Sequence, residues 1–441
     1  MNKLILILML AAMLVVWGCA DSDNGTGADD SSAAETGLNG GDDDAVDSSL
    51  DFAEDEADAA LGKHSCQAID PPSWSEPDLL SGPSVISYDS ERFLTVNGQR
   101  FFPLGFYRSP LTSGELDTYK SEGFNIGYNG PGCCSGDDLQ EQIDLLNLAA
   151  AKGVMMILKP WRPTSQVMTR TEAELEAELT ARSGIGSLFG WYNYDEPGLH
   201  MPEFSEADKL HEILTTYDPN HLDTLVEAPN NSFDLYVDYC SFFMVDPYPS
   251  NWMPLVYIKA VMNEAQEAAG TKPVLGVFQA FSWDWYEGDV TAEYHPDAAE
   301  VRNMVWQFII HGARGLLPWN YSGDYTIHAQ PEIWESFLLD VAEINKLMSV
   351  LLSDDVVLDL APESDFPTLF DYLVKQDQTA TWLFTVSASD RILPVSLDLT
   401  DIGEDLCIVD YTTGETFVPD ADGRIDVHYD PNQVRILEVI N

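Results

Sequence analysis

Short apolar runs bounded by turn residues recur through the middle of the chain, separated by longer segments of helical periodicity. The runs cover 101–107, 123–128, 153–159, 187–194, 222–228, 240–246, 273–280 and 314–320. Near-continuous apolar runs of this length suit strands buried on both faces. The segments between them, 137–152, 172–182, 204–217, 253–269, 298–311 and 332–352, predict helices. In the first, Leu139, Ile143, Leu146 and Ala150 share one face. Eight strands alternating with helices over about 250 residues predict an α/β fold, a (β/α)₈ TIM barrel. A doubly wound open sheet is the competing arrangement, but the glycines of 184–190 have the wrong spacing for a phosphate turn and lead into a strand. Before the first core strand, Asn97-Gly98 predicts a hairpin between 92–96 and 101–104. After Ser353 the pattern shortens to alternating strands at 381–386, 394–399, 406–411 and 434–439, which predict a C-terminal antiparallel β-sandwich.

The beginning of the chain belongs to neither body. Lys3 precedes a 13-residue apolar run, Leu4 to Val16, too short to span a bilayer comfortably, and Gly18-Cys19 follows. This resembles the signal peptide and lipobox of bacterial lipoproteins. The resemblance implies cleavage before Cys19, lipidation of its thiol and a membrane anchor, with Ala20 favouring the outer membrane. An ordinary secretory signal peptide is the alternative, and both readings export the protein. Residues 21–62 carry 14 acidic residues and no Lys or Arg, the composition of a disordered tether. The expected organisation is 1–19 signal peptide and lipidated Cys19, 20–84 acidic tether and linker, 85–352 barrel and 353–441 sandwich.

The net charge is −53, and beyond residue 62 the chain still carries 60 acidic against 20 basic residues. That excess argues against nucleic acid or an anionic lipid surface as partner and suits a solvated surface. Five cysteines remain after Cys19 (Cys66, Cys133, Cys134, Cys240 and Cys407), so at least one is free and the pairing stays open.

Chemistry in such a barrel belongs at the C-terminal ends of the strands. Those ends carry Tyr107, Asn129, Trp161, Asp195 with Glu196, Glu227, Asp246 with Tyr248, Gln279 with Trp283, and Trp319. Aromatic faces and paired polar groups are what a carbohydrate requires, since sugars present CH surfaces for stacking and hydroxyls for hydrogen bonds. Tyr194-Asp195-Glu196-Pro197 stands out, because two adjacent carboxyls at the lip of an apolar strand are costly to desolvate. The eight histidines lack His-x-His or His-Glu-x-x-His spacing, no Gly-x-Ser-x-Gly elbow occurs, and no cofactor or metal is expected.

Over 92–350 the chain resembles the clan A glycoside hydrolases, and the sandwich resembles their common C-terminal module. More closely it resembles uncharacterised barrel proteins with Asp-Glu-Pro on strand 4, Asp-x-Tyr-Pro on strand 6 and Gln-x-Phe on strand 7. Here these are Asp195-Glu196-Pro197, Asp246-Pro247-Tyr248-Pro249 and Gln279-Ala280-Phe281. The resemblance implies Glu196 as general acid/base, with Tyr192, Tyr194 and Trp319 as its wall. It also exposes a gap: Gln279 stands where the clan has its nucleophilic Glu, and an amide cannot form the glycosyl ester. Strand alternation would send Asp195 away from Glu196, leaving Asp246 as the preferred second carboxyl, then Glu227 and Asp284. The remaining site residues are expected to contact substrate. Two further readings stand beside the hydrolase: a non-catalytic carbohydrate-binding surface protein, and a structural or adhesive one.

Overall fold

The computed structural model describes residues 66–107, 112, 114–129, 139–160, 171–200, 204–229, 232–250, 253–283, 295–321 and 325–440. Cys19, Trp161, Asp284, Cys133, Cys134 and the side chain of Asn129 lie outside the described residues.

A small antiparallel sheet comes first: β1 (Ile86–Tyr88), β2 (Leu94–Val96) and β3 (Gln99–Arg100). Asn97 and Gly98 both have positive φ, 53° and 81°, the backbone that a two-residue hairpin turn demands. Seven parallel strands follow: β4 (Gly105–Phe106), β5 (Ile126–Asn129), β6 (Met155–Leu158), β7 (Leu188–Asp195), β8 (Leu222–Glu227), β9 (Phe242–Val245) and β10 (Val274–Gly276). Each pairs with its neighbours in sequence. The eighth predicted strand closes the barrel, but as a short bridged run. Leu316 bridges both Leu104 and Gly276, and Gln279 bridges Trp319. Pro318 has no N–H to donate, which interrupts a longer ladder, yet its carbonyl accepts from Tyr107 N at 3.0 Å. Two glycines permit the close strand approach: a Cβ on Gly105 would lie 1.7 Å from Ile126 O, and one on Gly190 2.4 Å from Leu222 O.

The helices are α1 (Glu115–Ser121), α2 (Leu139–Lys152), α3 (Glu172–Arg182), α4 (Pro197–His200), α5 (Phe204–Tyr217), α6 (Phe233–Tyr236), α7 (Tyr257–Ala269), α8 (Ala298–Ile310), α9 (Pro331–Lys346) and α10 (Met348–Leu351). The helix expected from 253 begins at Tyr257, because Pro254 disfavours helical backbone before it. Asp297 and Glu300 form a capping box that starts α8, so Glu300 is occupied in that cap.

Alternation along the strands divides the core in two. Phe242 and Met244 of β9 join an interior cluster with Tyr128, Ile157, Tyr192, Val226, Leu275 and Leu317. Phe243 and Val245 face the helices, in a layer that includes Phe106, Trp191 and Trp306. The β1–β3 sheet lies at the N-terminal end of the barrel, where Ile86, Leu94 and Phe101 enter the interior cluster. There Ser84 Oγ donates to Leu188 O at 2.8 Å and Ile86 N to Asn220 O at 2.8 Å. Residues 66–84, expected as linker, pack onto the body instead. Leu79 is buried, and Ile69 N donates to both carboxyl oxygens of Glu438, at 3.1 and 2.9 Å. Cys66 is disulfide-bonded to Cys407, and Cys240 is a buried free thiol.

The C-terminal part comprises β11 (Asp355–Val356), β12 (Phe370–Gln376), β13 (Thr381–Ser387), β14 (Leu393–Asp398), β15 (Cys407–Asp410), β16 (Thr416–Phe417), β17 (Arg424–Tyr429) and β18 (Val434–Ile440). Six form one antiparallel sheet in the order β11-β12-β13-β18-β15-β16, and β14 pairs with β17. Leu383, Leu397, Ile425 and Leu437 share the core between them. This module is joined firmly to the barrel. Trp306 of α8 stacks on Phe384 with centroids 5.3 Å apart, and Asn303 Nδ2 donates to Ser387 O and Asn432 O at 2.8 and 2.9 Å.

Candidate active site

The site lies at the C-terminal ends of β7, β8 and β9. Strand β7 does not alternate to its end: its pairing with β8 slips between Tyr192 and Asp195. Tyr192 and Asp195 face the barrel interior, while Tyr194 packs in the outer layer and reaches Glu206 Oε2 at 3.4 Å. Tyr194, expected in the wall around Glu196, thus packs among the outer-layer side chains. Glu196 itself adopts φ of 40°, a left-handed backbone that costs a non-glycine residue about 1–3 kcal/mol and tends to persist at functional sites. That turn breaks strand geometry, so the expected divergence of the two acids is corrected: Asp195 and Glu196 lie near enough for the charge of Asp195 to act strongly on Glu196.

Glu196 is hydrogen-bonded to Asp246, which follows β9 and is 6% exposed. Burial, then the charge of Asp195, pushes the Glu196 carboxyl up from an ordinary 4.5 to about 8; the bond from Asp246 opposes the rise and Glu227 adds to it. Asp246 is also raised, by burial first and then by Glu196, Asp195 and Glu227. The two carboxyls thus hold a proton between them at neutral pH, because two charges cannot be accommodated side by side in a desolvated space.

Asp195 has a different environment. Its Oδ1 accepts from the hydroxyls of Tyr107, at 2.5 Å, and Tyr192, at 2.8 Å. These hydroxyls touch each other, and the Tyr107 ring stacks on Tyr128 with centroids 5.1 Å apart. Burial, followed by the charge of Asp195, holds both phenols well above their usual range, so they remain donors. Lys159 Nζ lies 5.1 Å from the centre of the Tyr192 ring.

Of the other expected contacts, Glu227 is fully buried and sits behind the site, its Oε2 accepting from Gly198 N at 2.9 Å. Gln279 is also fully buried. Its Nε2 donates to Phe281 O at 3.1 Å, and its Oε1 has no partner among the described residues. Tyr248, Trp283 and Trp319 gather with Phe281 at the ends of the last three strands. The Tyr248 centroid is 5.0 Å from Phe281, 6.1 Å from Trp283 and 6.4 Å from Trp319. Phe281 and Tyr128 were not among the expected site residues, although Phe281 closes the Gln279-Ala280-Phe281 motif and Tyr128 precedes Asn129. Tyr321 packs under the helices against Phe106 and Trp334.

A second constellation has the residue types of a hydrolytic triad: Ser84 Oγ is 3.4 Å from His221 Nε2, and His221 Nδ1 is 2.9 Å from Asp218. All three are buried at the N-terminal end of the barrel, and the serine proton is engaged by Leu188 O. This group ties β1–β3 to the barrel wall and has no access to a substrate.

No protein-family model and no curated protein matches the sequence. Solved structures do match in fold. A glycoside hydrolase family 5 protein from Bacteroides vulgatus has a TM-score of 0.54 at 14% identity, over 81% of this chain and 93% of that one. A family 27 β-L-arabinopyranosidase from Geobacillus stearothermophilus, solved with arabinose, has a TM-score of 0.52 at 10% identity, over 77% and 97%. An Anoxybacillus α-amylase has a TM-score of 0.51 at 9% identity, over 74% and 89%. The chain therefore has a glycoside hydrolase-like TIM-barrel fold.

Proposed function

We propose that this protein is an exported glycoside hydrolase acting on an oligo- or polysaccharide, with Glu196 as proton donor. The observation that carries the reading is the Glu196–Asp246 pair, buried side by side so that it retains a proton at neutral pH, next to Asp195. Glycosidic cleavage needs a carboxyl that holds a proton for the leaving group and a second carboxyl opposite it, and the raised Glu196 is suited to the first role. Tyr248, Trp283 and Trp319, each partly exposed, supply ring faces for a sugar at the rim, with the buried Phe281 packed beneath them. The leader-like 4–16 run and Cys19 support export and lipid anchoring, and the Cys66–Cys407 bridge fits an oxidising compartment. The test is reducing-sugar release from a panel of polysaccharides by the wild type and by Glu196→Gln. Turnover abolished by the substitution supports the reading; equal turnover by both proteins refutes it.

A non-catalytic carbohydrate-binding protein is the second reading, favoured by the buried amide of Gln279 where the resembled clan has a nucleophile. It predicts glycan binding by calorimetry with no product from the bound glycan, and any turnover of that glycan rejects it.

A further inference from the structure

We propose that Asp195, rather than a strand-7 residue, is the nucleophile of this site, and that the protein therefore retains anomeric configuration. The inference rests on the hydrolase reading and supplies the group which that reading lacks. Gln279 cannot form a glycosyl ester, and its amide is committed to the Phe281 carbonyl. Glu196 and Asp246 are engaged with each other. Glu227 is enclosed behind α4. Asp195 alone among these acids combines partial exposure with an anchored carboxylate: both of its hydrogen bonds fall on Oδ1, and among the described residues none reaches Oδ2. A carboxylate pinned through one oxygen presents the other in a fixed direction, which a near-attack geometry requires.

The chemistry balances with these residues and water. Oδ2 of Asp195 bonds to the anomeric carbon while the glycosidic C–O bond breaks, and the proton shared by Glu196 and Asp246 passes to the departing oxygen. Water then attacks the anomeric carbon and gives its proton to the carboxylate left in the pair. The ester C–O bond breaks, and Asp195 leaves as a carboxylate. The donors on Oδ1 assist this second step, because Tyr107 and Tyr192 stabilise the charge returning to Asp195. The positive φ at Glu196 is what allows consecutive residues to serve the two roles, since regular strand geometry would place them on opposite faces.

The test uses the intact wild-type protein and 2,4-dinitrophenyl 2-deoxy-2-fluoro glycosides of glucose, galactose, mannose and xylose in both anomeric forms, with peptide mapping by mass spectrometry. A fluoroglycosyl mass increment on the peptide containing Asp195 is expected. With the parent dinitrophenyl glycosides, Asp195→Gly should lose about 10⁴-fold or more in rate, and azide should restore turnover as a glycosyl azide, an effect that loss of a merely structural residue would not show. An increment on another residue, inverted product, or wild-type rates in Asp195→Gly overturns the assignment while leaving the hydrolase reading intact. Absence of wild-type turnover on every parent glycoside and every polysaccharide overturns both; with turnover on a polysaccharide alone, the anomeric form of its product decides, and inversion overturns the assignment. Where Asp195→Gly does not fold, the wild-type labelling position decides.

Discussion

Replacing Glu196 by Gln should stabilise the protein at alkaline pH. The Glu196 carboxyl ordinarily titrates near 4.5 and is pushed to about 8 by burial and by Asp195. A carboxyl raised on folding contributes stability that is fully present below the unfolded value and disappears as pH rises through the folded one. Between about pH 4.5 and 8 the native state holds a proton that the unfolded chain has released, so stability falls by about 1.36 kcal/mol per pH unit. The full loss is about 5 kcal/mol, an upper bound because Glu196 is partly open to water and shares its proton with Asp246. Glutamine mimics the neutral acid in shape and can donate to Asp246, so the variant escapes this cost. At typical unfolding entropies per residue, that energy amounts to a rise in Tm of about 6 °C for the Cys66–Asn441 unit. The assay is urea unfolding of both proteins at pH 4, 7 and 9. The difference should be small at pH 4 and largest at pH 9, with the variant more stable. A variant equal to or weaker than wild type at pH 9 would refute the strained, proton-holding pair.

Three more outcomes follow from the same geometry. Glu227→Gln removes a charge that raises both members of the pair, so the alkaline limb of kcat/KM should move to lower pH; an unmoved or raised limb counts against that electrostatic role. Trp306→Ala deletes the ring stacked on Phe384 at the joint between barrel and sandwich and should cost about 3–5 kcal/mol in denaturant unfolding, with a loss under 1 kcal/mol as the contrary result. Cys407→Ser opens a bridge spanning 341 residues and should cost about 2–5 kcal/mol, while non-reducing peptide maps of the wild type should contain a Cys66–Cys407 peptide.

Much of the barrel is legible in the amino-acid sequence because strands buried on both faces read as compact apolar runs, and helices between them carry a different period. In the C-terminal module, 381–386 and 434–439 correspond to β13 and β18. Strand β17, with Ile425, Val427 and Tyr429 inward, had the same alternation but was hidden among turn residues. The strand-end rule also brought Asp195, Glu196 and Asp246 into one site. What it could not convey was the backbone at the end of β7. A slip in register and a positive φ at Glu196 turned Asp195 inward and Tyr194 outward, and neither event leaves a periodic signal. The bond from Tyr107 to Asp195 spans 88 positions of sequence, so residue spacing carried no trace of it, and Tyr192, on the same strand as Asp195, reaches it only through the register slip.

The most direct test of Glu196 as proton donor is the dependence of its removal on the leaving group. Hydrolysis rates of wild type and Glu196→Gln should be compared on a 2,4-dinitrophenyl glycoside, whose departure needs no proton, and on an alkyl glycoside of the same sugar, whose departure does. A loss of about 10²–10⁴-fold on the alkyl glycoside, against a far smaller loss on the dinitrophenyl one, is predicted. Equal losses on both, or none on either, would contradict the assignment.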